Sequence, residues 1–187
     1  LRNAARALCQ RSMLWKDEKE TASLSNGRNT IDLDPDGCLD LISVQYMTYN
    51  GFEMVQTTER RLSSNFPRWR EATGSPSHCI ISIRDKEARL YPTPNKFEAM
   101  AIAWEAIVKP SRTATEIPDW IAEEYREVLR NGALKDLMAM GGNVPWANPQ
   151  MAGYYAIEFD RGVYQARARV MQGYSSQDVE VQGEPLY

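Results

Sequence analysis

Residues 117–173 decide the fold, and they read IPDWIAEEYREVLRNGALKDLMAM, GGNVPWANP and QMAGYYAIEFDRGVYQARARVMQG. On both sides of the central segment, apolar residues recur at three- and four-residue steps, which is the period of an amphipathic helix. Gly141 and Gly142 favour the end of the first helix. Asn148 and Pro149 favour an N-cap and a first-turn proline for the second helix. Because the loop is short, the two helices are predicted to lie antiparallel as neighbours.

Small residues lie midway along each predicted helix. Gly132 and Ala133 occupy the first helix, and Gly162 and Ala166 the second, so the two backbones are expected to approach closely. The predicted buried face of the second helix contains Met151, Tyr155, Phe159, Gly162, Val163, Ala166 and Val170.

The remainder of the chain changes period. Residues 1–15 predict a short amphipathic helix, and the charged residues 16–20 are interpreted as its polar exit. Between residues 21 and 108 the period becomes two, which is typical of strands. Asn50 and Gly51 mark the clearest hairpin, following a long strand over Leu39–Tyr49. The other predicted elements are strands near residues 30–33, 78–84, 88–91 and 98–108, and a short helix that opens at Thr57 or Thr58 and ends before Pro67.

These elements predict an α+β fold, with no βαβ alternation to suggest a parallel sheet. The expected arrangement is a three-helix core (the N-terminal helix plus the C-terminal antiparallel helix pair), an inserted antiparallel β domain and an extended C-terminal arm. The predicted boundaries are 1–16 and 117–173 for the helical domain, 21–112 for the β domain and 174–187 for the arm. The arm contains Asp178, Glu180 and Glu184 and no basic residue.

Composition places the chain among ordinary globular proteins. It has 187 residues, 43% hydrophobic and 25% charged, with a net charge of −3 that argues against a dedicated nucleic-acid binder. Cys9, Cys38 and Cys79 form no CxxC pair, so buried free thiols in a reducing compartment are expected. No apolar run reaches the roughly 18 residues of a membrane span, and no membrane partner is expected.

Few residues suggest chemistry. His78 is the single histidine and precedes Cys79, but adjacent residues of a strand point to opposite faces. Asp32, Asp34 and Asp36 have the spacing of a calcium loop, yet Pro35 and the missing glutamate favour a simple turn. Nucleotide-binding and nucleophile-elbow motifs are absent. We therefore expect no enzyme, no catalytic residue, no metal and no cofactor.

Interaction residues are better represented. Of 22 basic residues, 16 are arginine, and arginine, tyrosine, tryptophan and methionine are enriched at protein interfaces; a codon bias is the alternative explanation. Trp69 and Trp146 lie in predicted loops, where each is either an interface anchor or a lid on the core. The candidate subunit-interface residues are Trp69, Arg70, Trp146, Arg161, Arg167 and Arg169. A solvated helix face is the competing interpretation for the last three.

The helical pair resembles that of head-to-tail adaptor proteins of short-tailed bacteriophages. The family shows a Pro-Asp helix opening followed by Trp or Phe, a Gly-Ala-Leu middle, a Pro-Trp loop that continues with Ser or Ala, Asn or Asp, and Pro, and a second helix with an Ala-Arg-Ala-Arg-Ala run. The residues that match in order are Pro118, Asp119, Trp120, Gly132, Ala133, Leu134, Pro145, Trp146, Asn148, Pro149, Tyr155, Phe159, Gly162 and Ala166 to Arg169. The segments RNAARALCQRSMLW, WREATGSP, ARLYPTP and VKPSRTATEIP resemble further landmarks of the family.

The resemblance implies a structural virion protein at the head–tail junction, assembled in the host cytoplasm. Such adaptors form a ring, usually of twelve copies, that joins the portal protein to the tail nozzle protein. Double-stranded DNA passes through the ring without sequence-specific contact. Within this hypothesis the arm is expected to bind the portal through Tyr174, Val179, Val181, Leu186 and Tyr187.

Three alternatives remain open at this point. The first is a nucleic-acid-binding module that uses Arg161, Arg167 and Arg169. The second is another structural protein of a phage tail or tube. The third is an enzyme centred on Cys79 or on a carboxylate.

Overall fold

A computed structural model of the chain describes residues 1–35, 37–141 and 144–173, apart from the side chains of residues 18–21. Within these residues the helices are α1 (Arg2–Ser12), α2 (Glu59–Asn65), α3 (Asp119–Glu124), α4 (Arg126–Met138) and α5 (Pro149–Met171). The strands are β1 (Lys16–Leu24), β2 (Thr30–Asp32), β3 (Leu39–Tyr49), β4 (Phe52–Glu53), β5 (Val55–Gln56), β6 (His78–Ser82), β7 (Glu87–Tyr91) and β8 (Glu98–Pro110). The fold is α+β, as the sequence predicts.

Contacts divide the chain into two compact units. The helical unit contains Asn3–Leu14 together with the residues from Pro118 onward, and the β unit contains Trp15–Ile117. In the helical unit the buried face of α5 presents Phe159, Gly162, Val163 and Ala166. These four residues belong to the buried face that the apolar period of the sequence predicts. Met151, which the sequence places on the same face, is exposed.

Two four-stranded sheets build the β unit. Their strand orders are β1-β8-β3-β4 and β2-β7-β6-β5. Both sheets contribute to one hydrophobic core, which contains Leu24, Ile31, Leu33, Leu41, Val44, Met47, Met54, Cys79, Ala88, Leu90, Ala101, Ile102, Trp104, Ala106 and Val108. The long strand β8 pairs with β1 on one side and β3 on the other, so it forms the centre of the first sheet.

The local signals of the sequence are confirmed at three places. Thr58 caps α2 by accepting a hydrogen bond from the Arg61 amide. Asn50 and Gly51 form the β3–β4 turn with φ angles of 48° and 82°, as an Asn-Gly hairpin turn requires. Asn148 caps α5, with Pro149 in its first turn.

The prediction for residues 13–20 is wrong. Helix α1 ends at Ser12, and Met13 closes it in the left-handed conformation with a φ of 58°. The charged segment expected as a polar exit forms the first part of β1 instead, paired with β8. The charges are compatible with a strand because β1 lies at the edge of its sheet, where charged residues protect against unwanted pairing. Lys16, for example, donates to Glu105 at 2.9 Å.

Strand β3 departs from simple alternation. The sequence places Leu41 and Met47 on one face and Val44 on the other, but all three are buried. Register shifts against β8 between Leu41 and Ser43 and between Val44 and Tyr46 bring them to the same side. The β unit is also not wholly antiparallel, because β5 and β6 pair in parallel.

The single helix predicted over residues 117–140 is two helices. Tyr125 separates α3 from α4 because its own φ of −106° and ψ of 23° leave the helical region. The Tyr125 side chain is buried, and helical hydrogen bonds continue on both sides of it. No proline or glycine marks this position, so no local signal of the sequence predicts the break.

Candidate interaction surfaces

Close backbone approach positions α4 against α5. A Cβ added to Gly162 would lie 2.5 Å from Val128 Cγ2, and one added to Gly132 would lie 2.8 Å from the Phe159 ring. Arg169 donates to Glu124 at 2.9 Å. Since the contacts advance along α4 as they retreat along α5, the helices run in opposite directions. The close approach predicted from the glycines is therefore confirmed.

The loop before α5 holds Trp146 at the surface. The Asn148 amide donates to the Met138 carbonyl at 3.1 Å, which ties the loop to the end of α4. The Asn148 side chain accepts from the Met151 amide at 3.1 Å. The Trp146 side chain is 50% exposed, so an anchor role in an interface stays available to it.

Trp69, unlike Trp146, covers the core. It is 7% exposed, and with Leu62 and Tyr91 it forms a small cluster beside the main core. Its indole N–H donates to Ser63 Oγ at 3.0 Å, and its ring meets the Tyr91 ring edge-to-face at 6.2 Å. Arg70 lies over the Trp69 ring, 4.4 Å from its centroid. The outward-facing member of the pair is therefore Arg70.

Arg70 also borders a cleft of about 390 Å³. Glu59, on the cleft wall, pairs with Arg89 at 3.0 Å and with Arg70 at 3.6 Å. One carboxylate serves two guanidinium groups, so the cleft keeps a net positive charge, and the exposed pairs are worth little energy in water. The cleft is lined by Asn29, Thr30, Glu59, Trp69, Arg70, Arg89, Leu90 and Thr93.

The three arginines proposed on α5 are all exposed but differ in their partners. Arg161 pairs with Glu158 at 2.9 Å, and Arg169 with Glu124. Within the described part of the chain, Arg167 has no acidic partner. Two of the three are thus already neutralised in the helical unit, which weakens the interpretation of this face as a phosphate-binding surface.

The outer face of α5 is a surface that sequence reasoning missed. The α5 seam, as it is called below, is a line of exposed residues at alternating three- and four-residue steps, and its apolar members Ile157, Tyr164 and Met171 are 63–76% exposed. The members of the α5 seam are Tyr154, Ile157, Arg161, Tyr164, Ala168 and Met171. The sequence contains a signal for this surface, because apolar residues at three- and four-residue steps on the exposed side indicate a second apolar face of the helix.

A second missed surface lies at the hairpin end of the first sheet. Phe52, Phe97 and Met100 are 66–78% exposed there. Met100 has a φ of 52°, a left-handed conformation that a non-glycine residue adopts at an energetic cost. It belongs to the irregular stretch where β8 slips against β1 between Ala22 and Leu24.

A polar network holds this hairpin end. Glu98 accepts from the Tyr49 hydroxyl at 2.5 Å and from the Asn50 side chain at 3.2 Å, and it pairs with Lys96. The hydrogen bonds from Lys96 and Tyr49 to the carboxylate hold the pKa of Glu98 below its ordinary value. The same pair raises the pKa of Lys96.

One family is identified by comparison with known proteins. The family model described as SU10 adaptor protein matches residues 1–180. The chain belongs to the SU10 adaptor family. No curated protein matches the chain. Membership supports the resemblance to phage adaptors, while the restriction to short-tailed phages stays a prediction.

In this adaptor the cysteines and the histidine considered as catalytic candidates lie in packed surroundings. Cys9 and Cys79 are fully buried, and burial raises the pKa of Cys9 to about 12 and that of Cys79 to about 11. A thiolate nucleophile needs the opposite shift. His78 shares one hydrogen bond with Ser77, and its ring packs edge-on against the rings of Phe66 and Tyr91.

The aspartates weighed as a calcium loop are also used locally in this adaptor. Asp32 accepts from the Asp34 amide at 2.8 Å, and Asp34 pairs with Lys86 at 2.6 Å. Asp36 lies outside the described residues. Among the described residues, no cluster of three or more His, Cys, Asp or Glu could hold a metal ion.

The predicted portal-binding residues Tyr174, Val179, Val181, Leu186 and Tyr187 all lie outside the described residues of this adaptor. Within the described residues, no helix combines the length and apolar character needed to cross a membrane.

Proposed function

We propose that this adaptor is a structural virion protein that forms a ring beneath the portal and joins it to the tail nozzle. The observation that carries the proposal is the family match over residues 1–180. The ring is expected to contain about twelve copies, as the resemblance implies. Its place is the head–tail junction of a short-tailed phage, after assembly in the host cytoplasm.

The exposed apolar surfaces support an assembling protein. Monomeric soluble proteins rarely expose large contiguous apolar patches, and such patches often mark interfaces. The helical unit exposes the α5 seam, and the β unit exposes the hairpin end with Phe52, Phe97 and Met100. A closed ring needs two different surfaces on each copy, because its contacts are head-to-tail. Arg70 and Trp146 are further exposed candidates for such contacts.

Within this proposal, α1, α4 and α5 form a three-helix core that serves as a rigid frame. The Cβ that a residue other than glycine would add at position 132 lies within 2.8 Å of both Ala4 and Phe159. Arg11 pairs with Asp160 at 2.6 Å and lies over the Phe159 ring. These contacts support a fixed spacing of the three helices. The arm, residues 174–187, would bind the portal from this frame.

The proposed channel would conduct double-stranded DNA without binding it. The net charge of −3 lies in the arm, and residues 1–173 carry equal numbers of acidic and basic residues, so a lining formed by them would carry no net positive charge to hold phosphates. A basic lining would instead bind DNA with release of several counterions. The pairing of Arg161 and Arg169 with acids of the same unit supports a weak affinity for nucleic acid. The proposal includes no enzymatic activity; burial raises the pKa of the Cys9 and Cys79 thiols, which argues against a cysteine nucleophile at either position.

The proposal is tested by mixing the purified chain with assembled portal rings and measuring the mass of the product. The chain alone should sediment as a monomer and should join the portal as a ring. A chain that stays monomeric with portal rings present would contradict the proposal.

A matched variant that ends after Gly173 tests the arm. It should keep the helical circular-dichroism spectrum of the full chain but should not join the portal. Attachment of this variant at full strength would refute the arm's role while leaving the ring proposal in place. A salt titration of DNA binding belongs beside it, since a steep salt slope would favour the nucleic-acid-binding alternative.

A further inference from the structure

Two neighbouring depressions in the β unit share Trp69 as a common wall. The cleft of about 390 Å³ described above is bordered by the charged groups of Glu59, Arg70 and Arg89. A second depression has a volume of about 460 Å³ and is called the apolar groove below. Beside Trp69, the apolar groove is lined chiefly by Phe66, Pro67, Arg68, Ala72 and Tyr91. Both volumes fall within the roughly 300–1,000 Å³ that is usual for ligand sites.

The cleft contains guanidinium donors that its own carboxylate does not use. Arg89 donates one hydrogen bond to Glu59 at 3.0 Å. Arg70 lies 3.6 Å from the other oxygen of the same carboxylate, which is longer than a hydrogen bond. Each guanidinium has five N–H donors in a planar fork that fits a carboxylate. Two such groups facing one carboxylate can therefore accept a second carboxylate from a ligand.

The fold holds both arginines in position. Arg70 lies over the Trp69 ring, 4.4 Å from its centroid, and the Trp69 indole N–H is fixed by its hydrogen bond to Ser63. Arg89 lies on β7, paired in register with Thr30 of β2. A guanidinium stacked on an aromatic ring still presents its N–H edges, and being pre-organised it loses less side-chain entropy when it binds.

The sequence around the cleft is basic. Residues 59–71 contain four arginines and two glutamates, whereas residues 1–173 as a whole carry equal numbers of acidic and basic residues. Arg89 adds a further positive charge at the cleft. A surface of this sign attracts an acidic partner and speeds the encounter, and the attraction weakens as salt is added. Charge complementarity therefore indicates an anionic occupant.

Nucleic acid is one class of anion that arginines bind, but the aromatic residues here do not suit it. Single strands bind through bases that stack on exposed ring faces. Trp69 is 7% and Tyr91 9% exposed, and the two rings meet edge-to-face. The Phe66 ring lies against Tyr91, with 5.4 Å between centroids. The apolar groove thus offers little ring face to a base, whereas it can bury an aliphatic side chain.

We propose that the cleft and the apolar groove together bind a linear segment of a partner protein, in which an acidic side chain lies close to an apolar one. The acid binds to Arg70 and Arg89, and the apolar side chain packs against Phe66 and Ala72 in the apolar groove. Trp69 separates the two positions. The site lies within the β unit, so it does not depend on assembly beneath a portal.

Selection from a yeast-displayed library of random short peptides tests which segment fits. The full chain is the bait, and the double variant Arg70→Ala, Arg89→Ala is used for counter-selection. Peptides enriched on the native chain alone should contain Asp or Glu close to Leu, Met or Phe. Enrichment of sequences without an acid, or no enrichment over the double variant, would overturn the proposal.

Fluorescence anisotropy with the labelled, enriched peptide then measures affinity for the full chain. The double variant should bind about tenfold more weakly or worse, since hydrogen bonds to a charged group are lost. Arg84→Ala removes an exposed arginine of the same unit outside the cleft, and it should leave the affinity unchanged. If the double variant fails to fold by circular dichroism, Arg70→Lys with Arg89→Lys replaces it and should also weaken binding, because lysine lacks the planar fork.

Glu59→Gln gives a result that a purely structural role for the three charges would not. It removes the competing carboxylate, so the peptide should bind more tightly, by up to about fivefold at low salt. Weaker binding by this variant would contradict the charge argument.

The apolar groove is tested by Ala72→Gln, which narrows it without changing charge. The variant should bind the enriched peptide more weakly than the native chain does. A peptide with serine in place of its apolar residue should bind both proteins equally. Equal affinity of the enriched peptide for both proteins would show that the apolar groove takes no part.

Two further measurements separate other occupants from a partner protein. Labelled oligothymidine that binds more tightly than the peptide, and loses binding in the double variant, would overturn the proposal in favour of nucleic acid. Self-association in sedimentation that the double variant loses would make a second copy the occupant and would also overturn it. None of these experiments uses the portal, so failure here leaves the proposed function to its own test.

Discussion

The helical unit and the β unit fill their interiors in opposite ways. In the helical unit, backbones meet where Gly132 and Gly162 leave no room for a Cβ. In the β unit, two sheets are held apart by large side chains such as Met47, Ile102 and Trp104. Adding atoms should therefore damage the helical unit most, whereas removing atoms should damage the β unit most.

Removal from the β unit gives the largest expected effect. Ile102 is fully buried on the central strand β8, paired with Ala22 on β1 and Tyr49 on β3. We expect Ile102→Ala to lower the free energy of unfolding by about 2–5 kcal/mol, because the lost burial and the cavity both count. Urea denaturation measures the change.

Val55→Ala is the matched control, since Val55 lies on an edge strand of the same unit and is 58% exposed. Its effect should stay within about 0.5 kcal/mol. A similar cost for the two variants would show that the sheets do not share the core described above.

Addition to the helical unit gives the next effect. Gly162→Ala places a Cβ 2.5 Å from Val128 Cγ2, closer than van der Waals contact allows. We expect a loss of about 1–3 kcal/mol from overpacking. Alanine would otherwise be favoured over glycine in a helix by up to about 1 kcal/mol. Thermal and urea denaturation measure the result.

Gly153→Ala is the control for this change, because it lies in the same helix with no atom within 4 Å of the added Cβ. It should stabilise the protein. Val128→Ala combined with Gly162→Ala should cost less than the two single changes together, since the smaller side chain makes room. If Gly162→Ala also stabilised the protein, the close approach of α4 and α5 would be wrong.

The contrast between units also explains which parts of the fold could be predicted. Signals that act within a few residues were sufficient for the caps at Thr58 and Asn148 and for the turn at Asn50. The charged first half of β1 and the parallel pair β5–β6 depend on partners far along the chain. The break at Tyr125 carries no local signal.

The surfaces divide in the same way. Trp69 and Trp146 look alike in the sequence, and the difference between them comes from Ser63 and Tyr91, which only the fold brings to Trp69. The spacing of Ile157, Tyr164 and Met171 indicates the α5 seam, which is a second apolar face on a helix that already has a buried one. The left-handed backbone of Met100 lies where the register of β8 shifts against β1, and this register cannot be predicted from the sequence.

The smallest expected effect concerns the polar network around Glu98 at the hairpin end of the first sheet, where charge rather than side-chain volume determines the contribution to stability. The Glu98 carboxylate accepts from Lys96 and Tyr49, so its pKa is lower in the folded protein than in the unfolded chain. The unfolded chain therefore binds more protons as the pH falls toward the ordinary glutamate value of about 4.3. Stability from this group is present above that value and is lost as the pH falls through the folded pKa.

Glu98→Gln should consequently lower stability at pH 7 and lose its effect in acid, as unfolding curves between about pH 3 and pH 7 would show. Lys96→Met should weaken the same pH dependence, since Lys96 is the largest cause of the shift. The change should be modest and should shrink in high salt, because the network lies at the surface. A difference between Glu98→Gln and the native chain that persists unchanged at the lowest pH would mean that Glu98 acts through packing, and the β unit would then depend on volume at its surface as well as in its core.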